Sequence, residues 1–328
     1  MEYKVSVIVP VYNSAMYLHQ CIDSLMHQSL EKIEYIFIND ASTDNSLSIL
    51  QDYYSNHPEK RIIIINLKKN QGISNARNLG LQQATGEYIT HCDSDDWVES
   101  KAYETLYNIA KQKNADIALC NFIHEYDSHQ QICLQPYSTD KTESIKRLLN
   151  GQIFPSLWTS IIKREFIIEN NLHFPVGLNM GEDLYFNVQT YYFANIIVST
   201  NEALYHYRHT TNSVCTKRSR ASIDSDVKIA RLIDTFLKSI GKQNEFKNEL
   251  RYRKFFSKLA LIRNFDNIQE YNEWLQVYPE THAYIFSFKQ IDFKLRIQLW
   301  LASHHQFKLA KYLKKLLLIQ NKIRAVFR

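Results

Sequence analysis

Asp93 and Asp95, with Ser94 between them and Asp96-Trp97 behind, follow the short apolar run Tyr88-Ile89-Thr90-His91-Cys92. A strand that delivers two carboxylates two residues apart at its C-terminal end sets oxygen ligands where open α/β sheets take their ligands. Such a couple suits a hard divalent ion, Mg²⁺ or Mn²⁺, which takes one or two carboxylates from the protein and fills its octahedron with phosphate oxygens and water. An isolated Asp-x-Asp also serves turns, through side chain to backbone hydrogen bonds. This one has company. Three strand-to-loop junctions precede it: Val5 to Val9 into Pro10-Val11-Tyr12-Asn13, Tyr35 to Ile38 into Asn39-Asp40, and Ile62 to Leu67 ahead of Asn70-Gln71-Gly72. A second acidic pair, Glu182-Asp183, comes after the turn-rich Phe174-Pro175 to Gly181. Alone, that pair would do no more than favour the N-terminal dipole of the helix it opens.

The elements that must position these groups are legible as alternating periods. One helix is predicted over 14–28, with Leu18, Cys21, Ile22 and Leu25 at the spacing of a buried face. A second follows the N-cap residues Ser42-Thr43-Asp44 and is expected to turn Leu47, Leu50 and Tyr54 inward. A third begins near Ser74 and ends before Gly86. This order predicts the α/β class: a mainly parallel sheet with helices on both faces and ligands at its carboxyl edge. The stretch 127–142 reads as an irregular surface excursion, 143–149 and 158–170 as helical, 184–192 as a further helix and Ile196-Ile197-Val198 as a strand. Beyond residue 216 proline and glycine are scarce, so the last hundred residues read as helices. One of them is expected over 223–240, with Val227, Leu232, Phe236 and Ile240 on one side and Gly241 as its cap.

Composition excludes several classes. A chain of 328 residues, 45% hydrophobic, buries one large core or two smaller ones and is not disordered. Five cysteines at irregular spacing read as reduced thiols of an intracellular protein. His124, His129 and Cys133 lack the partner spacing of a zinc site and read as loop residues. The start, Met1-Glu2-Tyr3-Lys4, has no signal-peptide character, and no run approaches the roughly 18 apolar residues of a spanning helix, so the expectation is a cytoplasmic chain. The glycines of a dinucleotide fingerprint and of a P-loop are both missing, which removes hydride transfer and P-loop chemistry. Net charge is +5, but residues 293–328 hold nine basic residues and no acidic one. The segment 308–328 forms a basic amphipathic stripe. It reads either as a segment drawn to an anionic membrane surface or as a helix packed on the protein. Nucleic acid is not an expected partner, because no RNA-reading motif accompanies the charge.

Taken together, Val7-Ile8-Val9-Pro10-Val11-Tyr12-Asn13, Asn39-Asp40-Ala41-Ser42-Thr43-Asp44, Asn75-Ala76-Arg77-Asn78, Asp93-Ser94-Asp95-Asp96-Trp97 and Gly181-Glu182-Asp183 resemble the family 2 glycosyltransferases. These are inverting enzymes of the GT-A fold. The resemblance covers about residues 4–215. It implies a domain over 1–215, with a nucleotide half to about residue 98 and an acceptor half over 99–215, followed by a helical region over 216–328.

What the resemblance implies for single residues is specific. Tyr12 would stack on the uracil of a UDP-sugar, with Pro10, Val11 and Asn13 lining the nucleoside. Asp40 would accept from the base N–H, which favours uracil over cytosine. Arg77, with Asn75 beside it, would sit near the nucleotide, its guanidinium fork suiting phosphate or carboxylate. Asp93 and Ser94 would face the ribose, and Asp95 would coordinate Mn²⁺ or Mg²⁺, with Asp93 and His206 as further ligand candidates. Asp96 is expected to be structural, as a helix cap. Asp183 resembles the general base. Glu182 would raise its pKa or orient the acceptor, and Trp158 lies on the acceptor side. Arg208 and Ser213, in the element that begins Tyr205-His206-Tyr207, would contact the diphosphate. Many relatives carry Asn-Lys after the equivalent of Trp158, whereas this chain has Thr159-Ser160, so a basic contact is lost there. The implied reaction moves a hexose or N-acetylhexosamine to a hydroxyl of a glycan or lipid-linked oligosaccharide in surface polysaccharide synthesis. The rivals are a nucleotidyltransferase, which would need a Gly-rich basic loop after the first strand, and a non-catalytic nucleotide-sugar scaffold.

Overall fold

The computed structural model describes residues 2–178, 180–209, 219–262 and 267–313. Ser213, Cys215 and most of the 308–328 stripe lie outside the described residues. The chain divides into two units, Met1–Ser222 and Ile223–Arg328, a little beyond the break expected at 215.

The first unit opens with the predicted alternation. Strands β1 (Val5–Val11), β2 (Ile33–Asn39), β3 (Arg61–Asn66) and β4 (Tyr88–His91) are joined by helices α1 (Ala15–Met26), α2 (Ser46–Asn56) and α3 (Ile73–Gln83). All four strands run parallel, in the order β3-β2-β1-β4. β1 and β2 are buried along their whole length, which is why they read as continuous apolar runs rather than alternating ones.

The rest of the unit comprises β5 (Trp97–Val98), α4 (Ala102–Lys113), β6 (Ile117–Glu125), β7 (Gln130–Cys133), α5 (Lys141–Leu149), β8 (Ser160–Lys163), α6 (Arg164–Glu169), α7 (Glu182–Phe193) and β9 (Ile197–Arg208). The sheet continues β4-β8-β6-β9-β5, with β7 also paired to β6. β8 is antiparallel to both β4 and β6, so β6 and the β9 beside it run the same way as β1. The carboxyl ends of β1, β2, β4, β6 and β9 therefore share one edge.

Four local expectations are corrected. Leu50 is buried as expected, but Tyr54 is 58% exposed, and α2 buries Ile49 with Tyr53 packed against the core. The stretch 158–170 is not one helix, because β8 forms first and α6 follows. Within 127–142 the chain makes β7, which hydrogen-bonds to the end of β6 and so places His124 in a strand. In the second unit α8 (Arg220–Ser239) buries Ile229, Ile233 and Leu237, one step around from the predicted stripe.

The second unit is helical: after α8 come α9 (Lys247–Leu259), α10 (Ile268–Gln276), a 3₁₀ stretch Pro279–Ser287 and α11 (Phe293–Ser303). Phe255, Trp274, Ile285 and Leu299 form its core with Ile223. Lys258 is fully buried, its Nζ donating to the carbonyls of Trp274, Val277 and Tyr278 at 3.2, 2.6 and 3.3 Å. Among the described residues no helix is long and apolar enough to cross a membrane.

One polar knot inside the parallel sheet is worth testing. Glu34 of β2 is 1% exposed and accepts from Ser6 Oγ at 2.5 Å, Thr85 N at 2.6 Å and Gly86 N at 3.1 Å. A Cβ on Gly86 would stand 2.7 Å from the Ser6 nitrogen and 2.9 Å from the Val5 carbonyl carbon, both backbone atoms that cannot move aside. Gly86→Ala is expected to lower the unfolding free energy by about 1–3 kcal/mol in urea titration, whereas overpacking at a side chain alone would relax at less cost.

Candidate active site

The carboxyl edge is assembled first by loops that hold one another. Asn13 N donates to Ser42 Oγ at 3.0 Å, and Asn13 Oδ1 accepts from Thr43 N at 2.8 Å. Ser14 N donates to Ser46 Oγ at 3.0 Å, and Ser14 Oγ lies 2.6 Å from Ser94 Oγ. The turn after β1 is thus tied to the turn after β2 and to the Asp-Ser-Asp segment. Tyr12 projects from this frame, 51% exposed. Asp40 is buried, with Oδ1 and Oδ2 accepting from Gln71 N at 2.7 Å and Gly72 N at 2.8 Å. These bonds fix its plane, and each carboxylate oxygen retains a second lone pair. Asn75 Nδ2 donates to Gln71 Oε1 at 2.8 Å on the same rim.

Arg77 is the centre of the site. Expected beside the nucleotide, it is 2% exposed, and both of its terminal nitrogens are engaged with carboxylates while Nε has no hydrogen-bond partner. NH1 donates to Glu182 Oε1 at 2.7 Å and to Asp183 Oδ1, and NH2 donates to Asp93 Oδ1 at 3.2 Å. Burial works against its charge, but Asp183, Asp93 and Glu182 outweigh it and hold the guanidinium firmly protonated. The segment after β4 and the start of α7, ninety residues apart in sequence, are thereby joined through one side chain. Gly181, at φ 85°, turns the backbone into α7 so that Glu182 and Asp183 occupy its first turn. Burial pushes the Asp183 carboxyl well above the usual carboxylate range; Arg77 opposes this, while Glu182 and Asp93 add to it. The Asp183 side chain keeps 24% of its surface open, so its second oxygen can meet solvent or a substrate.

Three neighbours of this cluster had no assigned role in the sequence. Asn78, one residue past Arg77, clamps the backbone of Phe174 from both sides, donating to its carbonyl at 2.9 Å and accepting from its N–H at 2.8 Å. Phe174 lies 5.7 Å below the Arg77 guanidinium and stacks on Phe186 of α7 at 4.3 Å. His91, at the end of β4, is buried edge-on to Phe174, and burial together with Arg77 keeps its imidazole neutral by lowering its pKa. Their sequence signals were their positions: Asn78 beside Arg77, Phe174 before Pro175, and His91 two residues before Asp93.

The Asp-Ser-Asp-Asp segment divides by environment. Asp96 does not cap a helix: it is 1% exposed and accepts from Tyr205 Oη and Arg208 N, both at 2.8 Å, which pins the end of β9. Asp95 is half-open, and burial plus the neighbouring Asp93 charge raise its carboxyl to about 6. Arg208 stands beside it, Nε donating to the Asp95 carbonyl at 2.8 Å and NH2 to Gln20 Oε1, with its guanidinium 4.6 Å over the Trp97 ring. His206 is turned away from the Asp-Ser-Asp segment. Its Nδ1 lies 2.6 Å from Glu125 and its Nε2 2.9 Å from Glu99, and its ring stacks on Trp97 at 4.9 Å. As a metal ligand it would first have to leave two carboxylates. Trp158 is 4% exposed and stacks on Tyr205 at 4.1 Å, so it belongs to the aromatic core rather than to an open surface.

Asp93 and Asp95 fit a divalent cation: hard oxygen donors, partly open, whose mutual repulsion an ion would relieve. Among the described residues no three or more His, Cys, Asp or Glu side chains gather as a complete ligand set, so further ligands would come from a phosphate-bearing substrate and water. A cavity of about 910 Å³ lies at the other end of the strands, lined by Lys32, Ile33, Tyr54 and Arg61. It gathers none of these groups.

Two outcomes follow from the charges. Arg77→Met is expected to cost about 3–5 kcal/mol in a denaturant titration because it strands buried carboxylates, and pairing it with Glu182→Gln should restore part of that loss. The Asp95 carboxyl, at about 6 in the fold against an ordinary 3.8, holds a proton that the unfolded chain releases. Its contribution to stability is therefore full at low pH and declines as pH rises through 6. In chelator, Asp95→Asn should melt higher than the parent at pH 7.5, with the gap closing toward pH 4.

Comparison with known proteins agrees with this geometry. Residues 6–169 match the model of Glycosyl transferase family 2. A putative glycosyltransferase of Bacillus subtilis, EpsH, is 30% identical over 253 residues, 75% of this chain and 72% of that protein. A cholesterol galactosyltransferase of Borreliella burgdorferi is 32% identical over 287 residues, 81% and 76% of the two chains. Among solved structures, S. aureus TarS 1-349 in complex with UDP-GlcNAc superposes with a TM-score of 0.71 at 22% identity, covering 95% of this chain and 90% of that one. The strand order, the carboxyl-edge site and these matches place the fold as GT-A, and the chain belongs to the family 2 glycosyltransferases.

Proposed function

We propose that the chain transfers a hexose or N-acetylhexosamine from a UDP-sugar to a hydroxyl of a glycan acceptor, with inversion at the anomeric carbon. The observation that carries this is the Arg77 bridge. It joins Asp183 and Asp93 to one guanidinium, which supports a proton acceptor working beside a phosphate-side carboxylate. In a single displacement the acceptor oxygen forms its bond to C1 as the bond from C1 to the diphosphate breaks. The electron pair leaves with UDP, and the acceptor proton passes to the Asp183 carboxylate. Burial raises the pKa of Asp183, which strengthens it as a proton acceptor.

The donor half of the reading rests on the loop frame. Tyr12 offers an open ring for a base, with Pro10, Val11 and Asn13 beneath it. Asp40 is oriented to accept from a base N–H, and Asn75 sits on the same rim. Ser94 and Asp93 take the ribose side, and Arg208, beside Asp95, reaches the diphosphate. Mn²⁺ or Mg²⁺ held by Asp95, with Asp93, would supply Lewis-acid neutralisation of the leaving diphosphate. The solved neighbour that binds UDP-GlcNAc supports a uridine donor. The galactosyltransferase relative whose acceptor is cholesterol supports a lipid-linked acceptor. Cys21 and Cys92 stand as free thiols 3.8 Å apart, which supports a reducing cytoplasmic compartment.

Metal-dependent release of UDP across a panel of donor sugars and acceptors tests the reading. Asp183→Asn is expected to keep UDP affinity in isothermal titration while turnover drops by ~10²–10⁴. A variant that kept its turnover would remove Asp183 from the chemistry.

A further inference from the structure

The second unit carries an outward stripe that its own packing does not explain. On α11, Leu299 and Ala302 face the core, whereas Phe293, Arg296, Trp300 and His304 follow one another at helical spacing on another side. Phe293 and Trp300 are 56% and 40% exposed, and Phe286, 45% exposed, stands 6.3 Å from each ring. Cationic groups are interleaved with these rings. The Arg296 guanidinium lies 5.3 Å over Phe293 and donates to the Phe286 carbonyl at 3.1 Å, and the His304 ring is 4.4 Å from Trp300.

The charge around the stripe has one sign. Residues 288–313 contain Lys289, Lys294, Arg296, Lys308 and Lys311 against the lone acid Asp292, which is already used in capping α11 through Lys294 N at 2.8 Å. A protein contact core is also rich in aromatic rings and Arg but depleted of Lys, whereas here Lys289 and Lys294 stand exposed beside the rings. Aromatic rings and long cationic side chains in one strip match the lipid–water interface, where rings settle at headgroup depth and Lys and Arg snorkel to phosphates.

We propose that this face of the second unit, Phe286, Phe293 and Trp300 framed by Lys289, Lys294 and Arg296, docks on an anionic lipid bilayer. The site lies within the described residues, distinct from the basic tail beyond residue 313, and is independent of the reaction proposed above.

Flotation of the full chain with phosphatidylglycerol–phosphatidylcholine vesicles tests it. The parent should partition to these and only weakly to phosphatidylcholine alone, and its tryptophan emission should shift to the blue. Trp158 and Trp274 are already buried and the half-buried Trp97 of the first unit is covered by the Arg208 guanidinium, so Trp300→Phe should bind yet lose most of the shift. Phe293→Ser with Trp300→Ser should weaken partitioning about tenfold or more while UDP binding is kept, and Lys289→Gln with Lys294→Gln, both at exposed positions, should weaken it several-fold. Unchanged partitioning of both double variants would overturn the proposal. So would equal affinity for neutral vesicles, or self-association of the chain that Phe293→Ser abolishes in the absence of any vesicle binding.

Discussion

A guanidinium with 2% exposure has to be paid for, and in this chain three carboxylates do so. Removing one ion from water costs several kcal/mol after relaxation, so Arg77 is tolerable inside the first unit only while Asp93, Glu182 and Asp183 are all in reach. Those residues come from the end of a parallel strand and from the first turn of a helix on the far side of the sequence. Removing either segment would leave buried charge on the other without its partner.

Around that pairing, environment gives four aspartates different work. Asp96 is buried and saturated by Tyr205 and the Arg208 backbone, so it fixes where β9 ends. Asp95 keeps an open side, and burial with the Asp93 charge raises its pKa. Asp93 leans on Arg77, and Asp183 shares that same arginine while burial pushes its pKa the other way. The residue type is constant; what differs is the count of donors and the access of water.

The sequence made the parallel half of the sheet readable, because β1 and β2 are unbroken apolar runs and α1 and α3 keep a clean helical period. It made the second half less readable. β8 is four residues long and runs into α6 without a break, and period alone does not separate such a strand from a helix. Tyr54 was placed inward by spacing, yet the adjacent Tyr53 took the packed position through Asp23 and His19. At the site, the residue types of the motifs located the carboxylates and the arginine. Their mutual pairing could not be read from spacing, since Arg77 and Glu182 are joined only by the tertiary fold. His206 shows the converse. Its neighbours in sequence suggested a ligand, while Glu99 and Glu125, each distant in sequence, occupy both of its nitrogens.

The loops at the carboxyl edge hold one another in strained conformations. Asn13 and Ala41 sit at φ 52° and 58°, and Gly72 at 85°. For Ala41, which has no polar side chain to compensate, the left-handed region costs about 1–2 kcal/mol. Such a conformation persists when surrounding bonds over-determine it, and here Asn13, Ser14 and Ala15 each bond across to the 42–46 turn. Asp40 bonds onward to Gln71 and Gly72. A frame already ordered in the free protein leaves less conformational entropy to be lost when a ligand arrives. The strain at Ala41 is therefore held by loop bonds anchored to the same sheet that Arg77 locks to α7.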